Sequence, residues 1–325
     1  MKRFGIPAIL AALGAAAGLL VAQPEPAPEA AAIRYLAGEV ARWPVENGCF
    51  SCHNNGDAAR ALYLARRLGY SVPESAIGPT TAWLRNPAGW DEGEKEAVFK
   101  DRKLGRIQFA AALAALPGRS GEAALAAAGD LLVELQEADG HWAVDSASAA
   151  GSPATYGPAV ATWLARRALE AAGDERFRDP AARAAAWLAG LEPRSVPDAA
   201  AILMGSGPNA PNRSRSRELL LAAQAPGGGW GPFRNSPSEP YDTALGVIAL
   251  SLHGVPECGR CAGAVKAGRD YLARTQLETG GWPETTRPPG GQSYAQHIST
   301  SAWAALALLV SDPERDRDSL LRQPF

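Results

Sequence analysis

"LLVELQEADGHW" (131–142), "LLLAAQAPGGGW" (219–230) and "YLARTQLETGGW" (271–282) share one grammar. In each, an apolar helical stretch ends in Gln (Gln136, Gln224, Gln276), and a Gly-containing turn brings a Trp six residues later (Trp142, Trp230, Trp282). A second, small-residue-rich helix follows each one: "YGPAVATWLARRAL", "YDTALGVIALSL" and "HISTSAWAALALL". Alanine at close spacing on these helices lets neighbours pack tightly. Three copies in register mark a helical repeat. Less regular hairpins over 31–69, 74–116 and 177–206 bring the total to six helical hairpins.

Around the repeat, the bulk properties set limits. The chain has 325 residues, 46% of them hydrophobic, and a net charge of −2, which fits neither a disordered chain nor a general polyanion-binding surface. The only basic run, Asn212–Glu218, is short and reads as a solvated helix start, so no nucleic-acid partner is expected. Residues 1–22, with Lys2 and Arg3 ahead of an apolar stretch, read as an export signal. Leu20 makes the cleavage site imperfect, and an uncleaved N-terminal anchor is the alternative. Residues 23–30 read as a Pro/Glu/Ala linker, residues 31–312 as the repeat domain and residues 313–325 as a polar tail. No later segment is long and apolar enough to span a bilayer. The expected location is periplasmic or extracellular, a compartment that permits disulfides.

The Gln–Trp repeats resemble those of class II terpene cyclases such as squalene–hopene cyclase and, more distantly, protein prenyltransferase β-subunits. The resemblance covers roughly residues 30–312 and is strongest from 125 onward. It implies an all-α (α/α)6 toroid of six helical hairpins, with six outer helices around six inner ones and a central cavity for a small apolar ligand or a polymer. If the second helix of each hairpin is inner, the inner N-termini converge on one end, where unpaired N–H groups favour anions. His53, Asp57, Arg106, Gln108, Tyr156, Asp198, Tyr241, Asp242, Tyr294 and His297 would line that mouth. Capping alone would account for Asp57 and Asp198, and packing for the recurring tyrosines.

The family's chemistry transfers poorly. "EPYDTA" matches the end of the cyclases' Asp-x-Asp-Asp motif at Asp242, but Glu239 stands for its first Asp and Tyr241 for the proton donor. Tyrosine, with a pKa near 10, is too weak an acid to protonate an alkene. The prenyltransferase zinc ligands have counterparts near Asp242 and His297, but their cysteine is Ala244 here. "CGRC" lacks the Cys-Gly-Glu-Gln signature of thioester domains. Asp242, His297 and Glu239 are the catalytic candidates of a degenerate terpenoid-type enzyme.

A separate signal lies in "NGCFSCHNNGD" (47–57), which contains Cys-x-x-Cys-His. With four histidines in the chain, one would follow a given pair about once in 80 by composition. In an exported protein the pattern matches c-type haem attachment, with Cys49 and Cys52 as thioether donors and His53 as iron ligand. Hairpins one and six adjoin in a closed ring, which would let His53 approach His297 as a second ligand. Met204 is the only thioether alternative in the mature chain. Zinc held by Cys49, Cys52, His53 and His297 is the other metal reading, and a Cys49–Cys52 disulfide the structural one. Cys258 and Cys261, placed at the opposite ring end, are candidates for a local disulfide. Three functions follow. The first is a haem-bearing toroid with a redox partner. The second is a non-catalytic toroid binding a lipid or peptide. The third is the terpenoid-type enzyme.

Overall fold

The computed structural model describes residues 27–91, 102–118, 121–144, 150–255, 258–287 and 293–315. The export signal, the first half of the expected linker (23–26) and the tail beyond residue 315 lie outside the described residues. Among the described residues twelve α-helices alternate along the chain between two layers. The outer ones are α1 (Pro28–Asn47), α3 (Glu74–Leu84), α5 (Glu122–Val133), α7 (Arg178–Gly190), α9 (Arg213–Ala223) and α11 (Cys261–Thr275). The inner ones are α2 (Ala59–Arg67, preceded by a π-helical turn over Cys52–Ala58), α4 (Arg102–Ala114), α6 (Pro158–Ala172), α8 (Val196–Gly205), α10 (Pro240–Ala249) and α12 (Tyr294–Val310). Each inner helix packs on the next, and α12 returns to α2 and its preceding turn, so the ring is closed. The fold is an α/α toroid. The segment read as a linker stops short of residue 30: Pro28 occupies the first position of α1, where its missing N–H costs nothing, and Glu29 pairs with Arg269 of α11 at 2.7 Å.

The repeat grammar is a set of hydrogen bonds made three times. Gln136 Nε2 donates to Gly140 O (2.9 Å) and to Pro180 O in the first turn of α7 (2.9 Å). Gln224 does the same to Gly228 O (2.7 Å) and Ala264 O of α11 (2.9 Å). Gln276 reaches Gly280 O (2.8 Å) and Pro28 O of α1 (3.0 Å). Each glutamine thus ties its own turn to the next outer helix, and the third copy ties the end of the ring to its beginning. Each indole donates back to a carbonyl ten residues earlier: Trp142 to Leu132, Trp230 to Leu220 and Trp282 to Leu272, at 2.7–2.9 Å. Each Trp backbone N–H donates across to an inner-helix hydroxyl, Thr162, Thr243 or Ser301. Gly280 is needed here twice over. Its φ is +94°, and a Cβ would stand 2.5 Å from Ala31 O.

Gln276→Ala removes two hydrogen bonds, one within its own turn and one that closes the ring onto Pro28, at roughly 1 kcal/mol each. The expected outcome is a loss of about 2 kcal/mol in urea unfolding, with faster amide exchange in α1. Gln136→Ala should cost a similar amount but leave α1 exchange unchanged, and equal α1 protection in the two variants would refute the closure role.

On the axis, α6 and α12 lie three places apart in the six-membered ring and so face each other across it. Trp163 of α6 meets Trp303 of α12 there, with ring centroids 6.0 Å apart. Tyr156 and Tyr241 approach Trp303 edge-on at 5.6 and 6.0 Å, and the Arg60 guanidinium sits 4.4 Å over its ring. None of these five side chains exposes more than 3% of its surface. At this level a ligand on the axis would have to displace them.

Candidate functional site

The Cys loop follows from local chain chemistry. Gly48, at φ +67°, ends α1 and donates its N–H to Pro44 O. Ser51 then caps the next turn: its hydroxyl accepts from His53 N (3.2 Å) and Asn54 N (3.5 Å), while Asn55 Oδ1 accepts from Ser51 N (2.9 Å). This reciprocal cap places Cys52 and His53 at the first two positions of the π-helical turn. Such wide turns recur at functional sites. Two buried asparagines lock the turn to its neighbours. Asn54 Nδ2 donates to Tyr294 Oη of α12 (2.8 Å), and Asn55 Nδ2 to Thr80 Oγ1 of α3 (2.8 Å). Gly56 allows the turn to lie against α4, since a Cβ there would be 3.0 Å from Gln108 Cβ and 3.3 Å from its carbonyl carbon.

Beneath the turn, side chains from four inner elements meet on Asp57. Its Oδ2 accepts from Gln108 Nε2 (2.8 Å) and Ser299 Oγ (2.7 Å), and its Oδ1 accepts from the Tyr156 hydroxyl. Arg60 lies 3.7 Å from Oδ1. Asp57 is therefore not the helix cap expected of it. Ser51 takes that role, and Asp57 faces inward as an acceptor for the ring. Tyr156 is likewise more than packing. It adopts φ +59°, rare for a non-glycine residue. Burial, reinforced by Asp57, pushes its hydroxyl well above the ordinary tyrosine range. Ser299 Oγ also lies 2.8 Å from His53 Nδ1. Burial lowers the His53 pKa, with Asp57 pulling the other way, so the imidazole is held toward its neutral form.

Cys49 is exposed and Cys52 half-buried, and no disulfide joins the two. Phe50 between them stacks on Trp83 of α3 (4.7 Å, 12°), and Trp83 continues into Trp90 and Phe109 of α4, giving an aromatic wall beside the loop. Cys258 and Cys261 are disulfide-bonded, at the start of α11. Met204 is buried within α8.

Among the described residues no three His, Cys, Asp or Glu side chains gather to hold a metal ion. Cys49, Cys52, His53 and His297 thus do not form the four-ligand set. Ser299 engages His53, while His297 is held edge-on to Tyr35 (5.8 Å), with Glu284 3.7 Å from its Nδ1. Glu239 and Asp242 do come together, but on Arg287. Its Nη atoms donate to both Asp242 oxygens (2.7 and 2.8 Å) and to Glu239 Oε2 (2.5 Å), and its Nε donates to Gly151 O (2.7 Å). Burial pushes Asp242 up to about 6 against the pull of Arg287. Of the remaining mouth residues, Arg106 pairs with Asp91 (2.5 Å) and Asp198 takes Ser195 as its cap partner (3.1 Å). Sequence reasoning did not find Arg60, Arg287, Ser299 or Trp303. Only Trp303 carried a signal, being the large aromatic in a small-residue helix.

Neither a family model nor a curated protein matches the sequence. Among solved structures, a UGL variant with dGlcA-Glc-Rha-Glc superposes with a TM-score of 0.58 at 15% identity, covering 87% of this chain and 96% of that one. The apo form of the type II terpene cyclase MstE from Scytonema gives a TM-score of 0.41 at 14% identity, with 87% of this chain and 96% of that one covered. For ent-copalyl diphosphate synthase from Streptomyces platensis the TM-score is 0.35 at 17% identity, over 87% of this chain and 50% of that one. The likeness is one of fold: this chain is an α/α toroid.

Proposed function

We propose that this chain is an exported α/α toroid carrying covalent haem c at the mouth of the ring, with a redox or ligand-binding role. One observation supports the reading above the others. The chain has two Cys-x-x-Cys pairs of identical spacing, and Cys258–Cys261 is bonded whereas no disulfide joins Cys49 to Cys52, which His53 directly follows. The donor set fits the group. Cys49 and Cys52 would hold the porphyrin as thioethers, each thiol adding its sulfur and hydrogen across one vinyl group, and His53 would ligate the iron. The aromatic wall of Phe50, Trp83 and Phe109 offers an apolar bed beside the loop. When bound, haem supplies one-electron chemistry. Zinc would need a fourth ligand, and His297 is engaged elsewhere. Terpenoid-type chemistry on Glu239, Asp242 and His297 would first require Arg287 to release Asp242.

The test is expression with export in a host competent for cytochrome c maturation, followed by a pyridine haemochrome assay and intact mass. The expected result is a covalent adduct with Soret absorption, abolished in a Cys49→Ser/Cys52→Ser double variant. A colourless chain of unmodified mass would remove the reading.

A non-catalytic binding toroid has one observation in its favour, a groove of about 590 Å³ between α1 and α3 lined by Ile33, Arg34, Ala37, Tyr70 and Ala76. Lipid or peptide recovered from the purified colourless protein would support that reading.

A further inference from the structure

The hydrogen bonds beneath the Cys loop have a direction, and it follows from counting protons. Ser299 has one hydroxyl proton, and it lies between the Asp57 carboxylate, which already accepts from Tyr156 and Gln108, and an imidazole nitrogen that can donate or accept. Ser299 Oγ is 2.7 Å from Asp57 Oδ2 and 2.8 Å from His53 Nδ1, so both contacts are full hydrogen bonds. The proton goes to the carboxylate, since Ser299 Oγ donates to Asp57 Oδ2 and a carboxylate oxygen is the stronger acceptor of the two. The serine lone pairs then accept from His53, and the imidazole must carry its proton on Nδ1. Nε2 is left with the lone pair.

We infer that Ser299 and Asp57 are positioning residues that set the tautomer of His53 and present its Nε2 as the ligating atom. Asp57 is well suited to the task. Tyr156 holds its Oδ1, Gln108 shares its Oδ2, and Arg60 lies alongside, so the carboxylate is oriented from α2, α4 and the entry to α6 before Ser299 arrives from α12. The residues concerned are 242 apart in sequence for Asp57 and Ser299 and 246 apart for His53 and Ser299. His53, in the first hairpin, is therefore prepared by α12, and only in the closed ring. A buried acceptor behind a ligating histidine fixes ring orientation and raises the basicity of the ligand.

The relay can be tested in the haem-free protein, so its outcome does not depend on the cofactor reading on which its functional meaning rests. Long-range proton–nitrogen correlation on nitrogen-15-labelled protein, with His53 assigned through His53→Gln, reads the tautomer directly. The expected result is a protonated Nδ1 and a bare Nε2 in the wild type. Ser299→Ala should shift the proton to Nε2, Ser299→Thr should restore the wild-type pattern, and Asp57→Asn should reverse the chain, its amide donating to Ser299 and the hydroxyl then donating to Nδ1. A wild-type His53 protonated on Nε2, or a tautomer unmoved by Ser299→Ala in a folded protein, would overturn the inference. In haem-loaded protein Ser299→Ala should raise the reduction potential, because the more basic ligand favours ferric iron. Protein that takes up no haem would sink the cofactor reading, while the tautomer would still decide the relay.

Discussion

Arg287→Met is expected to cost 3–5 kcal/mol at pH 8 and only about 1 kcal/mol near pH 5. Arg287 is buried and is the cation for both Asp242, which is fully buried, and Glu239. Removing it leaves two neighbouring carboxylates without a counter-charge at the entry to α10, where only their protonation relieves the site. The sign follows from linkage. Asp242 is pushed up to about 6 from an ordinary 3.8, so the folded chain holds that proton more tightly than the unfolded one. The stability this lends is whole below about pH 4 and is lost as pH rises through about 6, amounting to ~3 kcal/mol at 1.36 kcal/mol per pKa unit. Without the guanidinium, which lowers the Asp242 pKa, the carboxyl moves further up and the loss at neutral pH deepens. The gap between wild type and Arg287→Met should therefore widen with pH. Urea midpoints at pH 5 and pH 8 measure it. Adding Asp242→Asn to Arg287→Met should recover about 2 kcal/mol at pH 8 by removing the orphaned charge. A gap that stays constant with pH would mean that Asp242 and Arg287 are not coupled as described.

This cluster also explains why the catalytic reading of Glu239 and Asp242 was attractive and incomplete. Their spacing, one helical turn at a helix N-terminus, is visible in the sequence, and so is the resemblance that drew attention to them. Arg287 is not. It lies 45 residues from Asp242 in a loop with no periodicity, and Ser299 lies 242 residues from Asp57. The Gln–Trp turns were legible for the opposite reason. Gln276 bonds four residues ahead and Trp282 ten residues back, both inside one hairpin. Geometry confined to one hairpin has to be rewritten in each copy, and repetition exposes it. Contacts across the ring occur once. Asp57 read as a cap and Tyr156 as packing because each residue type suffices for those local roles, and nothing local records that the two bond to each other. The Cys loop falls between these cases. Its motif is local and complete, whereas the group that orients His53 arrives from α12.

Trp303→Ala should produce the largest loss of any single change in the inner ring, about 5 kcal/mol. Truncating a buried tryptophan costs 3–5 kcal/mol through lost transfer energy and the void left behind. Here Trp303 also carries the Arg60 guanidinium on its face and donates Nε1 to Tyr156 Oη at 3.2 Å, and a desolvated cation–π contact is worth about 2 kcal/mol. A domain of this kind has roughly 5–15 kcal/mol to lose, so the variant is expected to unfold at low denaturant and to lose near-ultraviolet dichroism from Trp163. Trp303→Phe, which keeps a ring for Arg60 and both tyrosine edges, should give back more than half of the loss. The same variants decide what the axis can hold. Because wild-type Trp303 bridges α12 to α6 with no exposed surface, small apolar compounds should leave its melting temperature unchanged. Trp303→Ala opens a void lined by Trp163, Tyr156, Tyr241 and the Arg60 guanidinium, and an aromatic ring placed there would restore the face that the cation has lost, so toluene should raise its melting temperature. Stabilisation of the wild type by toluene would instead show that the axis opens spontaneously, and would move the ligand from the mouth of the ring to its centre.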